Sequence, residues 1–202
     1  IGRCTGNLVH VEGIEHMAGL NPDRGVFLAV NHRSFFDLYV ISSVLLRKTA
    51  WIEQMYFPVR SSYFYERPDG VLVNAAMSAL AMYPPIMREG PKKSFNQYAT
   101  AVLSERLARP GTLVGYHPEG TRGRGEDPYA LLPFGAGTGS IIHASRPIVI
   151  PAFTLGLSND IAAQIRGNFN GTGAPITMVF GAPVTLDDLL LRPRRRRHWC
   201  AR

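Results

Sequence analysis

The sequence predicts a single α/β domain with a mixed, mostly parallel sheet flanked by helices. Short apolar runs alternate along the chain with longer segments of helical periodicity, and this order is typical of parallel sheets built from strand–helix units. The 202 residues are enough for one domain with a substantial core, and a hydrophobic content of 46% indicates a globular chain. We assign residues 1–191 to this domain and residues 192–202 to a basic C-terminal tail.

The predicted elements follow in order along the chain. Apolar runs bounded by turn residues predict strands at 8–14, 26–30, 82–87, 112–116, 147–154 and 176–180. Apolar residues at helical spacing predict helices at 34–47, 74–81, 134–145 and 186–191, and a further helix that opens at Lys92 and Lys93 and carries an apolar face. That face consists of Phe95, Tyr98, Ala99, Val102 and Leu103. The aromatic-rich stretch 51–67 has two open interpretations, as core filling or as a surface that faces a membrane or an acyl chain.

The net charge of +7 comes almost entirely from the tail. Residues 192–202 hold six arginines and no acidic residue, whereas residues 1–191 hold 16 basic and 15 acidic side chains. A lone basic run is usually a solvated terminus, and a nucleic-acid interface needs a basic face on the fold. We therefore exclude nucleic acid as a partner.

Cysteine use and hydropathy indicate the compartment. Cys4 and Cys200 are the only cysteines, too few for a disulfide framework or a zinc set, and they favour a reducing, cytosolic-side location. No signal peptide or membrane span is evident, because Asn74 and the Pro84–Pro85 pair interrupt the uncharged stretch 70–87. The sequence begins with Ile1 rather than Met, which would fit the removal of an N-terminal anchor.

A first polar cluster follows the predicted strand 26–30. The strand ends on Asn31 and His32, Ser34 is a candidate N-cap for the next helix, and Asp37 lies in its first turn. A carboxylate at this distance can fold back onto the imidazole, fix its tautomer and make it a general base. The alternative is a packed histidine beside two capping residues.

A second cluster, His117 to Arg122, follows the predicted strand 112–116. The turn offers backbone N–H groups at Gly120 and Thr121 and a guanidinium at Arg122, which are the parts of an anion site. The alternative is an ordinary surface turn.

The two clusters together resemble the glycerolipid acyltransferase family, which includes the 1-acylglycerol-3-phosphate acyltransferases. The family's Asn-His-x-Ser-x-x-Asp signature is matched by Asn31, His32, Ser34 and Asp37, and its Pro-Glu-Gly-Thr-Arg signature by residues 118–122, with a spacing of about 85 residues. The resemblance extends over residues 9–191. It implies transfer of an acyl group from a thioester to a hydroxyl, and the absence of a Gly-x-Ser-x-Gly elbow disfavours a serine acyl-enzyme.

The resemblance also implies roles for individual residues. His32 would be the base and Asp37 its orienting carboxylate. Arg88, which matches an arginine at a strand end in the family, would hold the acceptor's phosphate together with Arg122. Glu119 would position the acceptor or brace its loop. The implied substrate-binding set is Asn31, Ser34, Arg88, Glu119, Gly120, Thr121 and Arg122, with no metal ligand.

The expected acceptor is a lysophospholipid, 1-acylglycerol-3-phosphate before others, and the expected donor is acyl-CoA or acyl-carrier protein, without a further cofactor. We expect the protein to work at the cytoplasmic face of a membrane surface. Three alternatives stay open: a glycerol-3-phosphate acyltransferase, an acyltransferase for another lipid acceptor such as an ornithine lipid or a glycolipid, and a catalytically inert lipid-binding domain.

Overall fold

The computed structural model of the chain describes residues 6–78, 81–88 and 94–187. Its main sheet has the strands β1 Val9–Glu12, β2 Val26–Val30, β3 Gln54–Tyr56, β6 Thr112–Tyr116, β7 Ile148–Leu155 and β8 Ile176–Phe180. A short second sheet pairs β4 Val59–Arg60 with β5 Pro85–Ile86. The helices are α1 Glu15–Ala18, α2 Asp37–Lys48, α3 Ser61–Phe64, α4 Pro68–Ser78, α5 Phe95–Leu107, α6 Ala136–Ser145 and α7 Ile161–Asn170.

The predicted fold class is confirmed. The six strands of the main sheet lie in the order β1-β8-β7-β2-β6-β3, and every neighbouring pair is parallel except β7 with β8. The predicted strand 8–14 is β1, which lies at an edge of the sheet. Within the described residues, no helix combines the length and the apolar character needed to cross a bilayer.

Strand β2 lies inside the sheet between two apolar layers. Val26, Leu28 and Val30 are fully buried in a cluster that includes Ile41 and Leu45 of α2. The residue between them, Phe27, is also fully buried but packs in a second cluster with Leu103 and Leu107 of α5. Because successive side chains of a strand point to opposite faces, β2 reads as a continuous apolar run. The end of this buried strand therefore fixes the position of the residues that follow it.

The helix after β2 begins later than predicted. Helix α2 starts at Asp37, and its N-cap position is Phe36 rather than Ser34. The cause is Asp37 itself, whose Oδ2 accepts hydrogen bonds from the backbone N–H groups of Arg33 at 2.8 Å and Ser34 at 2.9 Å. The carboxylate thereby holds the preceding segment as a tight loop outside the helix.

Two further predictions were wrong in extent. The strand expected at 82–87 is reduced to Pro85–Ile86, because Pro84 and Pro85 have no N–H to donate to a sheet. On α5, Ala99 and Leu103 are buried as predicted, but Phe95 and Tyr98 are each 61% exposed. Lys92, Lys93, the basic tail and all but the first two residues of the predicted helix 186–191 lie outside the described residues.

Candidate active site

Two histidines leave the sheet side by side, at the carboxyl ends of the neighbouring strands β2 and β6. Ala29 is in register with Tyr116, so the chain after each strand emerges at the same level. The rings of His32 and His117 stack with centroids 3.9 Å apart and planes 12° from parallel. The carboxyl ends of strands are where open α/β sheets bind ligands. The strand register thus brings two segments 85 positions apart into one site.

Asp37 orients the imidazole of His32 so that it can act as a general base. Its Nδ1 lies 3.1 Å from Asp37 Oδ2, and the side chains are 22% and 1% exposed, respectively. Since a carboxylate accepts this bond, Nδ1 carries the proton of the neutral ring and Nε2 keeps its lone pair. Asp37 is fixed in turn by its two backbone hydrogen bonds. The arrangement has the form of a carboxylate-oriented general base.

Glu119 braces the loops around His32. Its side chain is buried, Oε1 accepts from the backbone N–H of His32 at 3.1 Å, and Oε2 accepts from that of Leu132 at 3.0 Å. Both oxygens are thus engaged with backbone, and Glu119 does not line the cleft described below. Of its two predicted roles, these contacts support the bracing of the loop.

His117 is a second imidazole to which sequence reasoning gave no role. Its Nδ1 donates to the carbonyl of Val30 at 3.0 Å, and its buried Nε2 has no hydrogen-bond partner among the described residues. Burial, and then the neighbouring His32, lower the pKa of His117 from 6.5 to about 4. His117 is therefore a neutral ring near pH 7, and it does not place a second positive charge beside His32.

His32, Asp37 and His117 also bring potential metal-ligating atoms within 4.8 Å of one another. The sequence predicted no metal ligand set. An imidazole binds a metal along its lone pair, in the plane of the ring. Two stacked rings 3.9 Å apart hold their lone pairs in separate, nearly parallel planes, so one ion cannot lie in both. The stacked arrangement therefore does not suit chelation of one ion by both rings.

His32 opens onto a cleft of about 770 Å³. One part of the lining is apolar and comes from the loop before α2, from α2 itself, from the segment around β4 and α3, and from the segment before β5. It includes Phe35, Phe36, Leu38, Tyr39, Val59, Tyr63, Phe64 and Met82. The other part carries the guanidinium groups of Arg60, Arg88, Arg122 and Arg124, and none of the described lining residues is Asp or Glu. The cleft therefore offers apolar side chains and cationic side chains beside one base.

The aromatic-rich stretch 51–67 divides between its two predicted interpretations. Phe57 is 3% exposed and belongs to the core. Its ring packs against Gly115 and occupies the space that a side chain at that position would need. Tyr63 and Phe64 line the cleft. The stretch is therefore partly core and partly a wall of the candidate site.

Four of the predicted substrate-binding residues line the cleft: Arg88, Gly120, Thr121 and Arg122. Arg88 donates to the Gly120 carbonyl, and Arg122 Nη1 donates to Asn159 Oδ1 at 2.9 Å. The N–H of Gly120, which was predicted to be free for an anion, instead donates to the His117 carbonyl at 2.9 Å. This bond closes the turn, where Gly120 has a φ of +64°.

Asn31 and Ser34 were predicted to bind substrate, but neither lines the cleft. Asn31 is 5% exposed and exchanges two hydrogen bonds with the backbone of Thr154, at 2.7 and 2.9 Å. Ser34 Oγ donates to the Ser158 carbonyl at 3.1 Å and accepts from Phe36 N. The two side chains join the loop after β2 to β7 and to the segment after it, and these contacts give them a supporting role. Their direct part in substrate binding stays a prediction.

Asn159 is a residue of the site that no sequence pattern indicated. It lines the cleft, contacts Arg122, and lies in the loop between β7 and α7. An asparagine in a polar loop carries no signature by itself, so only the fold identifies it.

Comparison with known proteins gives one family. The family model described as Acyltransferase matches residues 8–154, which include both polar clusters. No curated protein matches the chain. Because the match spans most of the chain, and the mixed, mostly parallel sheet agrees with the expected fold class, the chain belongs to the acyltransferase family of glycerolipid enzymes, whose reaction is the transfer of an acyl group to a lipid acceptor.

Proposed function

We propose that the protein transfers a fatty acyl group from a thioester, acyl-CoA or acyl-carrier protein, to the free hydroxyl of 1-acylglycerol-3-phosphate. One observation carries the proposal: His32, oriented by Asp37, faces a cleft that has apolar aromatic lining and four arginines. A lysophospholipid with a phosphate monoester has one group to match each of these features: a hydroxyl for the base, an acyl chain for the apolar lining and an anion for the arginines. Arg88 and Arg122 favour the phosphate, since guanidinium groups match phosphate oxygens in geometry and charge.

The chemistry needs a base rather than an enzyme nucleophile, because a thioester is already activated. His32 Nε2 takes the proton of the acceptor hydroxyl as the oxygen attacks the thioester carbonyl. Collapse of the tetrahedral intermediate expels the thiolate, which receives the proton from His32. Asp37 stabilises the imidazolium between the two steps. The products are a new ester and a free thiol, and His32 returns to its neutral form.

A thiol-release assay over a panel of acceptors tests the proposal. We expect release of thiol from acyl-CoA or acyl-carrier protein with 1-acylglycerol-3-phosphate as acceptor, and little release with glycerol 3-phosphate, a lysophospholipid without a terminal phosphate, or a glycolipid. A preference for glycerol 3-phosphate or for a neutral acceptor would replace the proposed acceptor. Absence of release with every acceptor, by a folded protein that still binds lipid, would indicate an inert lipid-binding domain.

The phosphate role of Arg122 is tested in the same assay by Arg122→Lys, which keeps the charge and loses the planar fork. We expect the KM for the phosphorylated acceptor to rise about tenfold, as for the loss of one good charge-assisted hydrogen bond. The KM for the thioester should stay within about twofold. An unchanged acceptor KM in the Lys variant would count against a phosphate at Arg122.

We further propose that the protein works at a membrane surface, because its proposed acceptor is a lipid, and on the cytoplasmic face, because its use of only two cysteines favours a reducing compartment. Helix α4 supports this: Val71 and Leu72 are 45% and 69% exposed, whereas Val73 packs against the cluster that includes the cleft residues Tyr39 and Phe64. The exposed apolar residues of α4 therefore lie on the outer side of the apolar part of the cleft. The arginines of residues 192–202 would add attraction to anionic lipid of roughly 1 kcal/mol for each residue near the surface.

Sedimentation with anionic liposomes at low and high salt separates the two contributions. Electrostatic attraction is screened by salt, with a Debye length of about 8 Å at physiological ionic strength, whereas apolar insertion is not. We expect partial release at high salt and loss of the salt-resistant fraction in Leu72→Glu. The control is Leu46→Glu, the same change at a residue of α2 that is 64% exposed. Equal loss in both variants, or no binding of the intact chain at low salt, would refute attachment through α4.

A further inference from the structure

The loop between β7 and α7 contributes Asn159 to the lining of the cleft, in contact with Arg122. The buried side chain of Gln164, on α7, holds this loop from below: Oε1 accepts from Ser158 N, and Nε2 donates to the Gly156 carbonyl, both at 2.9 Å. Ser34 Oγ adds a bond to the Ser158 carbonyl from the other side. The backbone of Ser158, which precedes Asn159, is therefore held by hydrogen bonds to both Gln164 and Ser34.

Asn159 joins two parts of the site through a single atom. Its Oδ1 accepts from the backbone N–H of Phe35 and from Nη1 of Arg122, both at 2.9 Å. Both partners are donors, so the oxygen of the amide is the atom that must face them. Within the described part of the chain the amide nitrogen makes no hydrogen bond, and Asn159 lines the cleft. The side chain thus positions a guanidinium while its own N–H groups remain for a ligand.

The choice of an amide has an electrostatic consequence. A carboxylate at this position could accept the same two hydrogen bonds, but it would pair with Arg122 and offset its charge. A neutral oxygen fixes the guanidinium and leaves its full positive charge for a ligand. The described lining of the cleft contains four arginines and no carboxylate, so a carboxylate at position 159 would be the one negative charge in this lining.

We propose that Asn159 is a specificity-determining residue for an anionic acceptor: it positions Arg122 through a neutral oxygen and directs its amide N–H groups toward a phosphate monoester of the acceptor. This inference rests on the proposed function and names the group that reads the acceptor's charge. The family match ends at residue 154, so Ser158, Asn159 and Gln164 lie beyond the region that the family model covers.

The test is Asn159→Asp, with kinetics for 1-acylglycerol-3-phosphate, a lysophospholipid that lacks a terminal phosphate, and the thioester. The variant keeps an oxygen acceptor for Phe35 N and Arg122, so a purely structural role predicts wild-type behaviour. We expect instead a KM for the phosphorylated acceptor raised about tenfold or more, because like charges in contact strongly disfavour binding. The defect should shrink as salt is added. kcat at saturation, the KM for the thioester and the KM for the acceptor without a terminal phosphate should change by less than about twofold.

Asn170→Asp is the matched control, since Asn170 Oδ1 also accepts a backbone hydrogen bond, from Thr172 N at 3.1 Å, and lies outside the cleft. It should leave all constants unchanged. An Asn159→Asp variant with an unchanged, or salt-independent, KM for the phosphorylated acceptor overturns the inference while the proposed function stands. A wild-type protein that does not use the phosphorylated acceptor overturns both.

Discussion

We expect the His32→Ala variant to lose acyl transfer by about 100- to 10,000-fold in kcat, the usual effect of removing a general base. The physical reason is that the Asp37 contact at Nδ1 leaves the lone pair on Nε2 of His32, and His32 lines the cleft. The neighbouring His117 should not substitute for it, because its Nε2 is buried. Initial rates of thiol release at saturating acceptor and donor give the measurement.

The loss must be separated from unfolding. His143→Ala is a matched control, since His143 is also partly buried, lies on α6 and does not line the cleft. Both variants should keep a cooperative thermal transition, and only His32→Ala should lose activity. A folded His32→Ala protein with near wild-type turnover would refute the mechanism.

Asp37→Asn should be nearly as severe, with a loss of about 100- to 10,000-fold. The amide oxygen can replace Oδ2, which accepts from His32 Nδ1 and from two backbone N–H groups, but the charge that stabilises the imidazolium is lost. The amide nitrogen would then occupy the position of Oδ1, which is buried and has no hydrogen-bond partner among the described residues. An unsatisfied buried donor costs about 1–3 kcal/mol, so the melting temperature should also fall.

Asp127→Asn serves as the comparison, because Asp127 Oδ1 accepts from Tyr129 N in an exposed loop outside the cleft. Activity of the two variants is compared at a temperature where both are folded. If Asp37→Asn remains folded and keeps more than about a tenth of the wild-type kcat, His32 does not depend on an orienting charge.

The sequence predicted the parts of the fold that local patterns determine. Strand β2 was predicted from a run of five apolar residues, and the structure buries four of them. The predicted start of α2 was wrong because Asp37 accepts hydrogen bonds from the backbone N–H groups of Arg33 and Ser34, and this competes with capping by Ser34. Both outcomes fit the same residue types, so the choice depends on the geometry of the loop and not on its composition.

The site was predictable only where a motif brings its members close in sequence. His32 and Asp37 lie five positions apart, and the spacing alone suggests that they meet. The contacts of Asn31 with Thr154 and of Arg122 with Asn159 depend on strand order and on loop conformation. Gly120 shows the converse case, since its N–H was expected to be free and is used by its own turn. A motif therefore names the chemistry, but the fold decides which groups face the substrate.

The hydrogen bonds that support the site also determine when it can form. They join residues 87 positions apart for His32 and Glu119, 123 for Asn31 and Thr154, and 124 for Ser34 and Ser158. Contacts across such long loops carry a large entropy of closure and form slowly. During folding, the local contact between His32 and Asp37 therefore forms before the long-range hydrogen bonds that hold this segment in place. Recovery of enzyme activity during refolding should accordingly follow completion of the native sheet rather than the initial collapse of the chain.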